Sequence, residues 1–175
     1  DFFLSPKDSM LKIIRNESNR GLPYSINKGI KKANGKYIVR VDSDDFVNFN
    51  FLQFLSFYLE TNETTNAVSC DYYLVNDGEE VITKKNCLDE PIACGILFRK
   101  DNLFKIGLYD ESFRCNEDKD LRIRFLNKYT IDRLAIPLYR YRRHSKNITN
   151  NTENMDKYKD KLLRKHIDID PKMNR

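Results

Sequence analysis

Over the first third of the chain, apolar residues switch between two spacings. Leu11, Ile13 and Ile14 form a short run that predicts a strand over 11–14. Gly21 and Pro23 then open a helical pattern, with Leu22, Ile26, Ile30 and Ala33 on one face and Gly35 where the helix would end. Tyr37, Ile38 and Val39 predict a strand over 37–41. The next helix, over about 48–60, is dense enough in Phe and Leu to be expected well buried. This β-α-β-α succession predicts an α/β fold with a mixed, mostly parallel sheet flanked by helices. Ligands of such sheets bind beyond the carboxyl ends of the strands.

The middle of the chain changes character. Residues 68–75, the turn Asn76-Asp77-Gly78 and residues 80–83 read as an antiparallel hairpin. Residues 94–98 predict another apolar strand, followed by a short helix from Asp101 that Gly107 closes. Leu121, Phe125 and Leu126 mark a helix beginning near Glu117, and residues 131–141 are extended. From Thr152 onward, Met155, Tyr158, Leu162 and His166 recur at helical spacing among many lysines. Residues 1–150 thus read as one domain and 151–175 as an amphipathic helical tail. The abrupt entry into the α/β pattern at Asp1 predicts that the domain is truncated at its N-terminal end.

The hydrophobic content of 40%, with 11 Phe and 10 Tyr, supports a packed core and argues against a disordered chain. No apolar run is long enough to span a bilayer. The net charge of +5 is mild. It suits solubility or a surface meeting phosphates, and no nucleic-acid module accompanies it. Cys70, Cys87, Cys94 and Cys115 lack the spacing of a zinc site and are expected reduced, which predicts a cytoplasmic protein. The sequons at Asn62 and Asn147 carry no weight in a chain so rich in asparagine. The basic tail is expected either to pack on the domain or to lie on the anionic inner face of a membrane.

Three groups of residues carry candidate chemistry. Asp42, Asp44 and Asp45 follow the apolar run at 37–41 and place mutually repelling carboxylates at a strand end. A divalent cation would relieve that repulsion, and solvation is the alternative. Glu117 and Asp118 open a helix. Carboxylates are stabilised at such a position by the macrodipole, and one held near a substrate hydroxyl can act as a general base. His144 follows Arg140, Arg142 and Arg143, a group that reads either as a solvated basic face or as a diphosphate-pairing loop.

Taken in order, these segments resemble family 2 glycosyltransferases of the GT-A fold. The resemblance runs through Asn19-Arg20-Gly21 to Ile30, then Gly35-Lys36-Tyr37-Ile38 leading into Asp42-Ser43-Asp44-Asp45. It continues through residues 95–100 and 107–113, Glu117-Asp118-Lys119-Asp120-Leu121, and residues 138–144. It implies an inverting, metal-dependent transfer of a sugar from a nucleotide diphosphate, a UDP-sugar above all, to a hydroxyl of a glycan or lipid-linked acceptor in polysaccharide synthesis. By that resemblance Asp42 and Asp44 form the DxD pair at the donor, and Arg142 meets the diphosphate. Asp44, Asp45 and His144 hold Mn²⁺ or Mg²⁺. Asp118 is the base, with Glu117 beside it at the acceptor. The family's leading β-α-β portion has no counterpart in this chain, and Ile26 stands where many members carry arginine. A different class of function, a non-catalytic GT-A-like remnant that binds a partner, stays open at this point.

Overall fold

The computed structural model describes residues 11–144 and 152–167, with side chains of the last segment from Met155 onward. Eleven elements follow one another in this region. They are α1 (Leu22–Lys32), β1 (Tyr37–Val39), β2 (Phe46–Val47), α2 (Phe51–Thr61), β3 (Ala67–Val75) and β4 (Val81–Lys85). After them come β5 (Ile96–Arg99), α3 (Lys100–Lys105), α4 (Glu117–Leu126), β6 (Ile131–Arg142) and α5 (Thr152–His166). The Asn147 sequon and the last eight residues of the expected tail (168–175) lie outside the described residues.

The strands form one sheet in the order β1-β5-β3-β6-β2, with β4 joined to β3. β3 is the central strand. Its first residues pair with β5 and its last with β4, while its other edge runs beside β6. Alternate residues of these strands feed two separate cores. Ala67, Ile96 and Phe98 pack on one face against Ile30 of α1, Leu103 of α3, and Leu121 and Phe125 of α4. Val68, Cys70, Tyr72, Leu97 and Tyr139 pack on the other face against Phe51, Leu55 and Leu59 of α2.

The mixed α/β architecture with helices on both faces agrees with the sequence pattern, but the strand directions do not. Among the described strands only β3 and β6 run parallel, and every other pairing is antiparallel. Helical connections led to the expectation of parallel neighbours. Here α2 carries the chain from β2 to β3, which sit on either side of β6 rather than side by side.

Two further expectations are corrected. Residues 11–14 form no strand, because no described strand lies beside them to complete a ladder. The stretch after them is tied to α1 instead, where the Lys28 ammonium donates to Arg15 O at 2.8 Å and to Asn16 Oδ1 at 3.1 Å. α2 is buried on one face only: Leu55 and Leu59 are fully covered, whereas Leu52 is 56% and Phe57 66% exposed. A helix laid on a sheet can bury just the stripe at i, i+4 and i+8, however apolar its other sides are.

The short strand β2 was not expected from the pattern, and the remaining elements match it to within a few residues. Gly107, at φ +89°, closes α3 with its N–H donating to Phe104 O at 3.1 Å. The side chain of buried Asn27 on α1 bonds both Tyr109 O, at 2.8 Å, and Tyr109 N–H, at 3.0 Å, fixing the chain that leads into α4. α5 lies against α4. Its Leu162 is buried, Phe113 and Tyr158 meet ring to ring, and Lys165 and His166 both reach the buried carboxylate of Asp120. The described part of the tail therefore packs on the domain.

The one-sided burial of α2 separates two substitutions of similar chemistry. Leu55→Ala should lower unfolding free energy by about 2–5 kcal/mol in urea denaturation. Phe57→Ala should stay within about 0.5 kcal/mol of the parent. Equal losses would contradict this packing.

Candidate functional site

The acidic cluster is a tight turn. Asp45 N–H donates to Asp42 O at 3.1 Å, closing Asp42-Ser43-Asp44-Asp45 just after β1. Tyr139, a wholly buried residue of β6, holds the turn from below. Its hydroxyl donates to Asp45 Oδ2 at 2.6 Å and accepts the Asp42 N–H at 3.2 Å. The second Asp45 oxygen accepts the Arg142 backbone N–H at 2.8 Å. Burial raises the Asp45 carboxyl above its usual range, with the charges of Asp44 and Asp42 adding to the effect.

Asp44 points to the end of β6, where its Oδ2 lies 2.8 Å from His144 Nε2. A carboxylate oxygen and an imidazole nitrogen are donors that suit Mn²⁺, and the oxygens suit Mg²⁺ as well. Asp42, Asp45 and Cys94 also bring one ligand atom each within 4.8 Å of one another. Burial pushes the Cys94 thiol well above its ordinary range, so it faces the turn as a neutral group and adds little to a hard-cation site.

Asp42 is engaged differently. Arg40 grips it with Nε at 2.6 Å and Nη2 at 2.9 Å, while Arg40 Nη1 reaches Glu117 Oε1 at 3.2 Å. One guanidinium thus spans the turn after β1 and the first residue of α4. Burial opposes the charge on Arg40, but the hydrogen bonds it donates to Asp42, together with the negative charge around it, more than offset that effect, so the residue stays a cation. Glu117 is buried, and burial, reinforced by neighbouring Asp118, raises its carboxyl above the usual range. Asp118 is half-buried beside it, in the first turn of α4.

The structure therefore brings Asp42, Asp44, Asp45, Glu117 and His144 into linked contacts. Arg142 takes part through its backbone, while its guanidinium stacks over Phe46 at 4.6 Å and pairs with Glu79 at 3.1 Å. Beside the turn, a cavity of about 620 Å³ runs along β1 between α1 and α2, with Ile26, Ala33, Val39, Arg40, Val41 and Leu52 among its walls.

Sequence reasoning missed Arg40, Tyr139 and Cys94. Arg40 carried a signal, since it breaks an otherwise apolar run. Tyr139 carried none, because a buried tyrosine in a strand reads as core.

The site can now be set beside known proteins. The family model for glycosyl transferase family 2 matches residues 2–116. An uncharacterised glycosyltransferase of Methanocaldococcus jannaschii is 27% identical over 150 residues, covering 78% of this chain and 52% of that protein. One of Haemophilus influenzae is 34% identical over 84 residues, covering 48% of this chain and 24% of that protein. The chain thus spans about a quarter to a half of the length of these relatives. Among solved structures, S. aureus TarS in complex with UDP-GlcNAc superposes with a TM-score of 0.64 at 19% identity, over 80% of this chain and 44% of that one. The mannosyltransferase PcManGT from Pyrobaculum calidifontis, in complex with GDP-Man and Mn²⁺, superposes at 0.66 with 14% identity, over 91% and 47%.

Tyr139→Phe should lower stability by about 1–3 kcal/mol in urea denaturation, because it strips a donor from Asp45 and an acceptor from the Asp42 amide while keeping the ring. An unchanged midpoint would show that the turn stands without this hydroxyl.

Proposed function

The chain belongs to glycosyl transferase family 2 and has the GT-A fold, and from that premise we propose that it forms part of an inverting, metal-dependent glycosyltransferase using a nucleotide-diphosphate sugar. The observation that carries this reading is the Asp44–His144 contact at 2.8 Å, which pairs a carboxylate of the turn before β2 with an imidazole just beyond the end of the neighbouring strand β6. Two such donors from distant parts of the chain suit Mn²⁺ or Mg²⁺. In that place the metal, when bound, supplies charge neutralisation to the leaving diphosphate. Asp42 and Asp45 complete the acidic turn at the donor side. The donor complexes of TarS and PcManGT support a nucleotide sugar as the donor. The cavity along β1, within the roughly 300–1,000 Å³ range of small-molecule sites, adjoins the turn and suits the rest of the donor.

On the acceptor side, Asp118 accepts the proton of the attacking hydroxyl. Glu117 next to it is held by Arg40 and sets the direction in which α4 presents the base. Inversion follows from a single displacement, in which the hydroxyl oxygen bonds the sugar carbon as the diphosphate leaves, and Asp118 carries the proton away. The acceptor is a glycan or lipid-linked hydroxyl, and the product contributes to a polysaccharide. No described helix is long and apolar enough to cross a membrane.

Asp118→Asn should cut nucleoside diphosphate release from a panel of UDP- and GDP-sugars by about 10²-fold or more, with donor affinity changed little. Turnover at the parent rate would remove Asp118 from the base role.

A further inference from the structure

A second, smaller cavity of about 150 Å³ opens on the wall of α4. Pro91, Ile92, Tyr109, Asp118, Lys119 and Arg122 are among its lining residues. Asp118 and Arg122 stand four residues apart on one helix, hence one above the other on the same face. Arg122 is the anomaly. Its Nη1 is shut off from solvent and meets no hydrogen-bond acceptor. No ion pair compensates it among the described residues, and the charge of Asp118 acts on it only at longer range. Burial holds the guanidinium below its ordinary range.

A guanidinium N–H shut off from water without an acceptor is costly, and folded proteins pair such groups as a rule. Other half-buried arginines and the buried acids among the described residues follow the rule: Arg40 has Asp42 and Glu117, Arg124 has Asp120, and Asp71 has Arg133. Arg122 departs from it beside the residue assigned as the base. With Lys119 on the same wall, the cavity carries two cations against one carboxylate. Its volume corresponds to roughly five waters at about 30 Å³ each, which admits a phosphate or carboxylate group but leaves the rest of an acceptor outside.

We propose that Arg122 and the cavity it shares with Asp118 form an acceptor subsite for an oxyanion, so that the acceptor carries a phosphate or carboxylate near its reacting hydroxyl. The inference rests on the reading of Asp118 as the base and names the acceptor class that reading left open. The planar guanidinium takes the two oxygens of the anion in parallel hydrogen bonds. That contact holds the neighbouring hydroxyl over Asp118. Neutral sugars would leave the guanidinium unpaired and bind more weakly.

The test titrates the chain with glycerol phosphate and glucuronate, and with glycerol and glucose as neutral counterparts, following affinity by ligand-observed NMR. Wild type should bind at least one anion tenfold or more tightly than its counterpart. The phosphate and carboxylate arms identify which oxyanion the site takes. Arg122→Met should lose that preference while melting no lower than the parent, since it removes a half-buried charge whose Nη1 has no acceptor. Arg122→Lys should retain part of the preference. Anions bound no better than neutral compounds, or bound equally by Arg122→Met, would overturn the proposal. Mn²⁺-dependent UDP and GDP binding is measured in parallel. Its loss alongside a persistent Arg122-dependent anion preference would sink the donor reading and leave this subsite standing.

Discussion

A single buried hydroxyl organises the site. Tyr139 sits in β6 directly opposite Tyr72 of β3, in the one parallel pairing of the described sheet. From there it holds both ends of the acidic turn. On its other edge β6 pairs with β2, Phe46 opposite Arg140 and Val47 opposite Tyr139, and this pairing brings Tyr139 and His144 to residues 42–45, which lie about a hundred positions earlier. Pro137 contributes to this alignment. It has no N–H for the ladder, and the register slips where it meets Asp71, so that Tyr139 arrives opposite Tyr72.

Electrostatics then divides the turn into unlike carboxylates. Asp42 is neutralised by Arg40, Asp45 is half-buried against Tyr139 and a backbone amide, and Asp44 is the one turned toward His144. Three acids in four positions are tolerated because each has a different partner. Arg40 does more than quench Asp42: through Glu117 it ties the acidic turn to the helix that carries Asp118. The turn and the start of α4 therefore share one half-buried cation, and a shift at either end is felt at the other.

Much of this was legible beforehand, for identifiable reasons. Helices α1 and α4 announced themselves through local signals, Pro23 and Gly35 in one case and the acids of the first turn in the other. The β3–β4 hairpin was legible in Asn76-Asp77-Gly78 for the same reason. Features that depend on distant neighbours were not. The strand expected over 11–14 needed a partner to pair with, and the direction of β5 against β3 is a property of the whole sheet. The same division holds for the site. The acids could be named as candidates from residue type and order, and His144 through the family resemblance, whereas Tyr139 and Arg122 look like ordinary core and surface positions until their surroundings are known.

The proposed metal site at Asp44 and His144 serves a nucleoside diphosphate, and Mn²⁺ binding followed by electron paramagnetic resonance, with and without UDP or GDP, puts it to the test. One of the nucleotides should tighten Mn²⁺ binding to the parent protein, and Asp44→Ala should weaken it tenfold or more. Mn²⁺ binding that ignores both nucleotides, or that survives Asp44→Ala undiminished, would contradict it.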